Sequence, residues 1–220
     1  MNKEEGKKPL VVGISGIARA GKDSFVQDCF TYLDKYNQEN NTNIYFHSVS
    51  FAQAIKEDLN YFLLRHYKIS PWTEDEKEKK LVRPFLLAHG DGMREINPLY
   101  WVNALKEQIE RNQTFASGRT EIFFVSDVRR AEVEFDEVSL IKDYFKGSLV
   151  YVERRDEYNC PLESLIPHEI KNDPTLREKA NFIHVNHQKG SPAADVMNRR
   201  SNELIMLKII EKLKERKEED

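Results

Sequence analysis

The sequence is poor in cysteine, has no long apolar run and carries little excess charge, and each absence removes a class of protein. Two cysteines, Cys29 and Cys160, stand among 220 residues. That excludes a disulfide scaffold, offers no metal-binding spacing, and suits a reducing, cytoplasmic setting. The N-terminus is polar and no stretch of about 20 apolar residues occurs, so neither a secretory signal nor a membrane span is expected. Lys and Arg number 34 against 37 Asp and Glu, a formal net charge of −3. Without a field of one sign, nothing draws nucleic acid or a membrane surface to the chain. His47, His89, His168, His184 and His187 lack the local spacing of a zinc site. No internal repeat is visible.

What is present is the material of one globular domain over residues 1–220, with 40% hydrophobic and 32% charged residues. Five apolar runs read as strands: "LVVGIS" (10–15), "IYFHSVSF" (44–51), "EIFFVSD" (121–127), "SLVYVER" (148–154) and "NFIHVNH" (181–187). Helical spacing predicts helices at about 22–36, 53–66, 82–89, 98–111, 131–145 and 193–214. In the second of these, Ala54, Leu59, Phe62 and Leu63 should face inward, and "GDGMREIN" should separate the third from the fourth. "TEDEKEKKL" reads as a solvated helical face or loop, residues 1–8 as a frayed end, and the polar, proline-bearing stretch 155–180 as a lid-like excursion. Strands alternating with helices imply an α/β fold: a parallel five-stranded sheet flanked by helices.

"GISGIARAGKDSF" (13–25) lies between the first strand and the first helix. Gly16, Gly21 and Lys22 fit a phosphate-binding P-loop of the form Gly-x4-Gly-Lys. Such a loop works because glycines let the backbone curl against an anion while amides at the helix start point at it. Gly16, Arg19, Ala20, Gly21, Lys22, Asp23 and Ser24 are therefore candidate nucleotide contacts, with Lys22 on the outer phosphates. Asp23 stands where a hydroxyl would meet Mg²⁺, and Ser24 follows. A carboxylate there is either a helix-end charge or a metal ligand, direct or through water.

Asp127 ends the strand "EIFFVSD", the place for a second carboxylate serving the metal. Arg129 and Arg130 follow it, and Arg154 and Arg155 end the next strand. Strand carboxyl ends face the ligand crevice of an open parallel sheet, so these arginines are candidates for phosphate, each weighed against an ordinary surface ion pair. No Asn-Lys-x-Asp guanine reader occurs, and Val128 rather than a glutamate follows Asp127. Neither a GTPase nor a mechanical ATPase is indicated, which leaves phosphoryl transfer to a small molecule. Such transfer must exclude water, so a closing lid at about 155–180 is expected.

"SGIARAGKDS", "SFAQAIKEDL", "GMREINPLYWVNAL" and "FVSDVRRAEVEF", in this order, resemble the deoxynucleoside monophosphate kinases of bacteriophages and their bacterial relatives. The resemblance spans about residues 10–187, and Gly-Lys-Asp is that family's form of the loop. It implies a P-loop kinase fold with a core, acceptor-binding helices at 52–112 and a small lid. It also implies ATP and Mg²⁺ as cofactors and a nucleoside monophosphate as the small-molecule substrate; a homodimer is allowed. By position it makes Lys22, Arg129, Arg154 and Arg155 catalytic candidates and Asp23 and Asp127 metal candidates. Ser50, Phe51, Lys56, Arg94, Trp101 and Arg130 become acceptor-site candidates, although composition alone makes Trp101 a packed helix residue. Animal phosphomevalonate kinases are similar too, sharing the Gly-Lys-Asp loop and a Ser-Asp-x-Arg-Arg segment, which this chain matches in "SDVRR".

Overall fold

The structure is a computed structural model and describes residues 9–113, 120–131, 135–164, 166–187 and 192–218. The frayed end expected at 1–8 lies outside the described residues. Five strands, β1 (Leu10–Ser15), β2 (Ile44–Val49), β3 (Thr120–Val128), β4 (Ser148–Arg155) and β5 (Phe182–His187), form one parallel sheet in the order β2-β3-β1-β4-β5. β1 lies at its centre and all six of its residues are buried. A strand covered on both faces must be apolar throughout, which is why "LVVGIS" shows no alternation.

The register sets the height at which β1 ends. Ser15 lies opposite Val128 of β3 and Tyr151 of β4. The segment leaving β1 therefore starts beside Arg129 on one side and Val152 on the other. The strand order reverses direction about β1, so this end of the sheet is the crevice where open α/β sheets take their ligands.

Helices cover both faces. α1 (Lys22–Asn40) and α7 (Pro192–Glu218) bury Phe25, Cys29, Leu33, Ile205, Met206 and Ile209 with Ile14, Phe124 and Val152 of the strands. α7 is also tied by charge to the lower end of the sheet. Lys212 Nζ donates to the carbonyl of Gly147 at 2.7 Å, and the Arg216 guanidinium donates to the carbonyls of Pro9 and Phe145. α6 (Pro167–Lys179) lies on β4 through an O–H of Tyr151 donated to Asp173 at 2.6 Å and through Arg177, whose Nη2 is 2.8 Å from Glu153. Between β3 and β4 a short helix α5 (Glu137–Ser139) runs into a π turn (Leu140–Tyr144). The expected helix at 131–145 is thus shorter, and residues 132–134 lie outside the described ones. Asp136 caps it by accepting from the amide of Ser139.

The chain divides into two compact units, residues 1–48 with 113–220, and residues 49–112. The second holds α2 (Phe51–Tyr67), α3 (Glu76–Ile96) and α4 (Tyr100–Asn112). Two expectations are corrected here. "GDGMREIN" does not separate two helices, because Asp75 caps a single helix that passes through it to Ile96. Gly90 continues that helix as a point of close approach: an added Cβ would stand 3.2 Å from Ile55 Cδ1, and its carbonyl accepts the Trp101 indole N–H at 2.9 Å. Phe62 is 39% exposed rather than inward; Phe51, Ile55 and Leu63 form the buried line, and the Phe62 ring lies against His66, Tyr67 and Phe85. Among the described residues, no helix is long and apolar enough to cross a membrane.

His184 of β5 is buried against the Phe25 ring, with Nδ1 3.1 Å from Ser201 Oγ. Burial, and then the nearby His187, push its pKa down to about 4. The folded value lies below the unfolded one, so the fold favours neutral imidazole. That stability is fully present above about pH 6.5 and is lost as pH falls toward 4. Urea unfolding should lose roughly 2 kcal/mol between pH 7 and pH 5 from this residue. The difference in pH dependence between wild type and H184Q isolates it; equal slopes would contradict the assignment.

Candidate phosphate-binding site

The segment 16–21 is forced into a tight curl by its packing. Gly16 has φ +134°, and a Cβ there would stand 2.4 Å from the carbonyl oxygen of Val152. Arg19 has φ +62°. Gly21 has φ +97°, and its Cβ would meet Asn186 Nδ2 at 2.1 Å. Only glycine fits at both ends. Two long side chains fix the middle: Arg154 Nη1 donates to the carbonyl of Arg19 at 2.8 Å, and Asn186 Nδ2 donates to that of Ala20 at 2.6 Å. Asn198 holds Asn186 in turn, at 3.3 Å.

Gly21 is the N-cap of α1 and brings no side-chain cap. The first amides of this helix therefore face the loop's concavity, an arrangement suited to an anion. Lys22 lies over it, with Nζ donating to the carbonyls of Gly16 and Ile17 at 2.8 and 2.9 Å. Burial, and next the Arg129 charge, push the Lys22 pKa down to about 8 against the opposing pull of Glu169, Asp23 and Asp127. The ammonium stays mostly charged at pH 7, and an arriving anion would raise its pKa again. Asp23 and Ser24 are exposed on the first turn of α1, and Asp127 is half-buried on β3.

Arg129 comes to the loop through a carboxylate. Its Nη1 donates to Glu169 Oε1 at 2.7 Å, while Glu169 Oε2 accepts the backbone N–H of Ala18 at 3.0 Å. The backbone that carries Arg129 and Arg130 is itself fixed, since Glu137, 3% exposed, accepts both of their amides at 2.7 and 3.1 Å.

Successive strand side chains point to opposite faces, and this separates the next pair of arginines. Arg154 reaches the loop. Arg155 turns to the other face, where its Nη2 is 2.7 Å from Glu153 Oε1, so the structure does not bring it to the loop. Hydrogen bonds from Arg155 and Arg177 outweigh the burial that would raise the Glu153 carboxyl, and hold it below the usual range.

Of the acceptor candidates, Arg130 lies in the first unit and the other five in the second. Ser50 accepts the amide of Gln53 and caps α2, and Phe51 is buried beside it. Lys56 is half-buried on α2, and Arg94 Nη1 lies 3.3 Å from Asp91. Trp101 is corrected from a ligand contact to a packing residue: it is 2% exposed and its indole N–H is taken by Gly90. Sequence reasoning missed Glu137, Glu169, Asn186 and Asn198. Their partners are 7 to 166 residues away, and only the "PHE" and "VNH" strings marked their neighbourhoods.

Beside Gly21 and Ser24 a groove of about 540 Å³ opens between α1, β5 and α7, lined by Phe25, Tyr32, His184, Asn186, Asn198 and Arg199 among others. Among the described residues, no group of three or more His, Cys, Asp or Glu is placed to hold a metal ion by itself.

No family model matches the chain, and no curated protein does. Among solved structures it is similar to TT1252 from Thermus thermophilus, with 12% identity and a TM-score of 0.42, over 91% of this chain and 97% of that one.

The contact between Gly21 and Asn186 can be measured. G21A should cost about 2 kcal/mol, from left-handed backbone strain and the clash. In the double variant with N186A part of that cost should disappear, so that a urea double-mutant cycle gives a coupling of about 1 kcal/mol. Simple additivity would show that the two do not press on each other.

Proposed function

We propose that the chain transfers the terminal phosphoryl group of ATP to the phosphate of a nucleoside monophosphate. One observation carries the reading: a strand–loop–helix unit with left-handed Gly16 and Gly21, an uncapped α1 amide end, and Lys22, Arg129 and Arg154 around it. That is an anion seat for several phosphates, since each feature supplies a donor or positive charge to one small volume. The groove beside Gly21 and Ser24 has room for the base and sugar of the donor.

The chemistry asks for positioning and charge rather than a protein nucleophile. Lys22 would leave the Gly16 and Ile17 carbonyls for the outer phosphate oxygens, keeping them in line with the acceptor. Arg129 and Arg154 would balance charge that spreads over the transferred group. Arg130 keeps its place as an acceptor-side candidate through the Glu137-held backbone. Ser50, Phe51, Lys56 and Arg94 belong to the second unit, to which the acceptor is assigned by resemblance. The lid expected at about 155–180, which includes α6, would exclude water from the loop.

The residues present fit Mg²⁺. Asp23 is an exposed carboxylate on the first turn of α1, Asp127 lies close enough to act on Lys22, and both offer hard oxygen. Two carboxylates without a full protein cage suit an ion that keeps waters and shares phosphate oxygens. When bound, it would supply charge neutralisation between the outer phosphates.

The decisive measurement is ADP release from ATP–Mg²⁺ against a panel of deoxy- and ribonucleoside monophosphates together with mevalonate 5-phosphate. Turnover is expected with one or more nucleotides. Turnover with the mevalonate phosphate alone would replace the acceptor, and ATP binding without any turnover would reduce the protein to a binding module. K22M should lower turnover by roughly 10²–10⁴-fold with an unchanged unfolding midpoint; near-wild-type turnover would remove the loop from the chemistry.

A further inference from the structure

Glu169 is a carboxylate in an unusual place. It stands on the first turn of α6, is 6% exposed, and does not point to solvent as a helix-end glutamate ordinarily does. Its Oε1 accepts from Arg129 Nη1 at 2.7 Å. Its Oε2 accepts from the Ala18 amide at 3.0 Å and from the Ser164 hydroxyl at 2.6 Å. Burial alone would raise this carboxyl, but the three donors outweigh it and hold the group ionised. So one charged anion already occupies a loop amide and the loop-facing arginine.

Those two donors are what a terminal phosphate would use. A carboxylate and a phosphate cannot share one amide hydrogen and one guanidinium edge, and side by side they repel. We propose that Glu169 is an internal stand-in for the terminal phosphate: it latches the first turn of α6 onto the loop and must be expelled before polyphosphate can bind. This rests on the phosphate-loop reading above.

The way α6 is fastened gives the latch a pivot. Its second half is held to β4 by the Tyr151–Asp173 hydrogen bond, the Arg177–Glu153 ion pair and the buried Leu176. These bonds go to β4 rather than to the loop, although Asp173 and Leu176 also line a small cavity beside Gly16. Its first turn is held by Glu169 and by Ser164, whose hydroxyl oxygen also accepts the Ile166 amide at 3.1 Å. Losing the Glu169 contacts would free residues 166–170 and leave 173–179 in place. The released Arg129 would then be available to the incoming phosphate, so one exchange both opens the seat and delivers a positive charge to it.

The test uses inorganic tripolyphosphate as the probe and the full chain throughout. A latch lowers apparent affinity by the fraction of molecules in which the seat is free. E169Q should therefore bind tripolyphosphate roughly tenfold more tightly than wild type. Removing a negative charge beside an anion would also tighten binding without any latch, so S164A is the control. It leaves every charge in place yet weakens the hold on Glu169, and should tighten binding about threefold; unchanged affinity in S164A overturns the proposal.

Hydrogen exchange gives an independent reading. Tripolyphosphate should speed exchange of the Glu169 and Ile170 amides, both bonded to the Ile166 carbonyl, and leave residues 173–179 unchanged. In E169Q the first turn should exchange fast before any ligand is added. Slowed or unchanged exchange in wild type overturns the latch. If wild type binds tripolyphosphate, K22M does not, and the Glu169 and Ser164 variants behave as wild type, the latch fails while the loop reading stands. Absence of binding to wild type and E169Q alike overturns both.

Discussion

The close approach of Gly16 to the Val152 carbonyl is the constraint on which the site depends. β1 is bonded on both sides, so the chain can leave it only at the height of Val128 and Tyr151. At that height there is no room for a side chain, because a Cβ on Gly16 would stand 2.4 Å from a backbone oxygen of the neighbouring strand. The backbone must turn at once and tightly. That turn brings the Arg19 and Ala20 carbonyls within reach of Arg154 and Asn186, which ends with Gly21 aiming the first amides of α1 into the curl. Sheet register, rather than any single side chain, shapes the loop.

The cations at the loop each have a partner within the chain. Lys22 rests on two backbone carbonyls, Arg129 on Glu169, and Arg154 on the carbonyl of Arg19. Cations held this close would otherwise repel one another in a partly buried space. The carboxylate beside Arg129 comes from α6, which follows the loop by about 150 residues. Function and stability thus draw on the same few groups, and each arginine at the loop has a partner it can exchange.

Much of this was legible in the sequence, for identifiable reasons. The strands could be read because a doubly covered parallel strand must be apolar for its whole length, as "LVVGIS" and "EIFFV" are. The loop could be read because Gly16, Gly21 and Lys22 are local, and their spacing is dictated by one turn of backbone. Arg155 was misjudged because the two-residue period of a strand sends neighbours to opposite faces, and "RR" does not announce which one faces the ligand. The long helix through Gly90 was missed because glycine ordinarily ends a helix, whereas here the absent Cβ makes room for Ile55. Glu169 and Asn186 could not be read at all. Each meets the loop across more than 150 residues, and nothing in a single sequence records which carboxylate or amide the fold will carry there.

The anchoring of α7 bears on the order in which the molecule can be completed. Lys212 and Arg216 grip the backbone at Pro9, Phe145 and Gly147, so the last helix fastens the base of the first strand and the turn leading into β4. A ribosome releases β1 and its loop well before α7. Until α7 emerges, the apolar side of α1 and the lower sheet has no cover, and Asn198 is not there to steady the amide that holds Ala20. The loop that comes early in the chain therefore becomes fully braced only once α7, far downstream, has packed against the sheet.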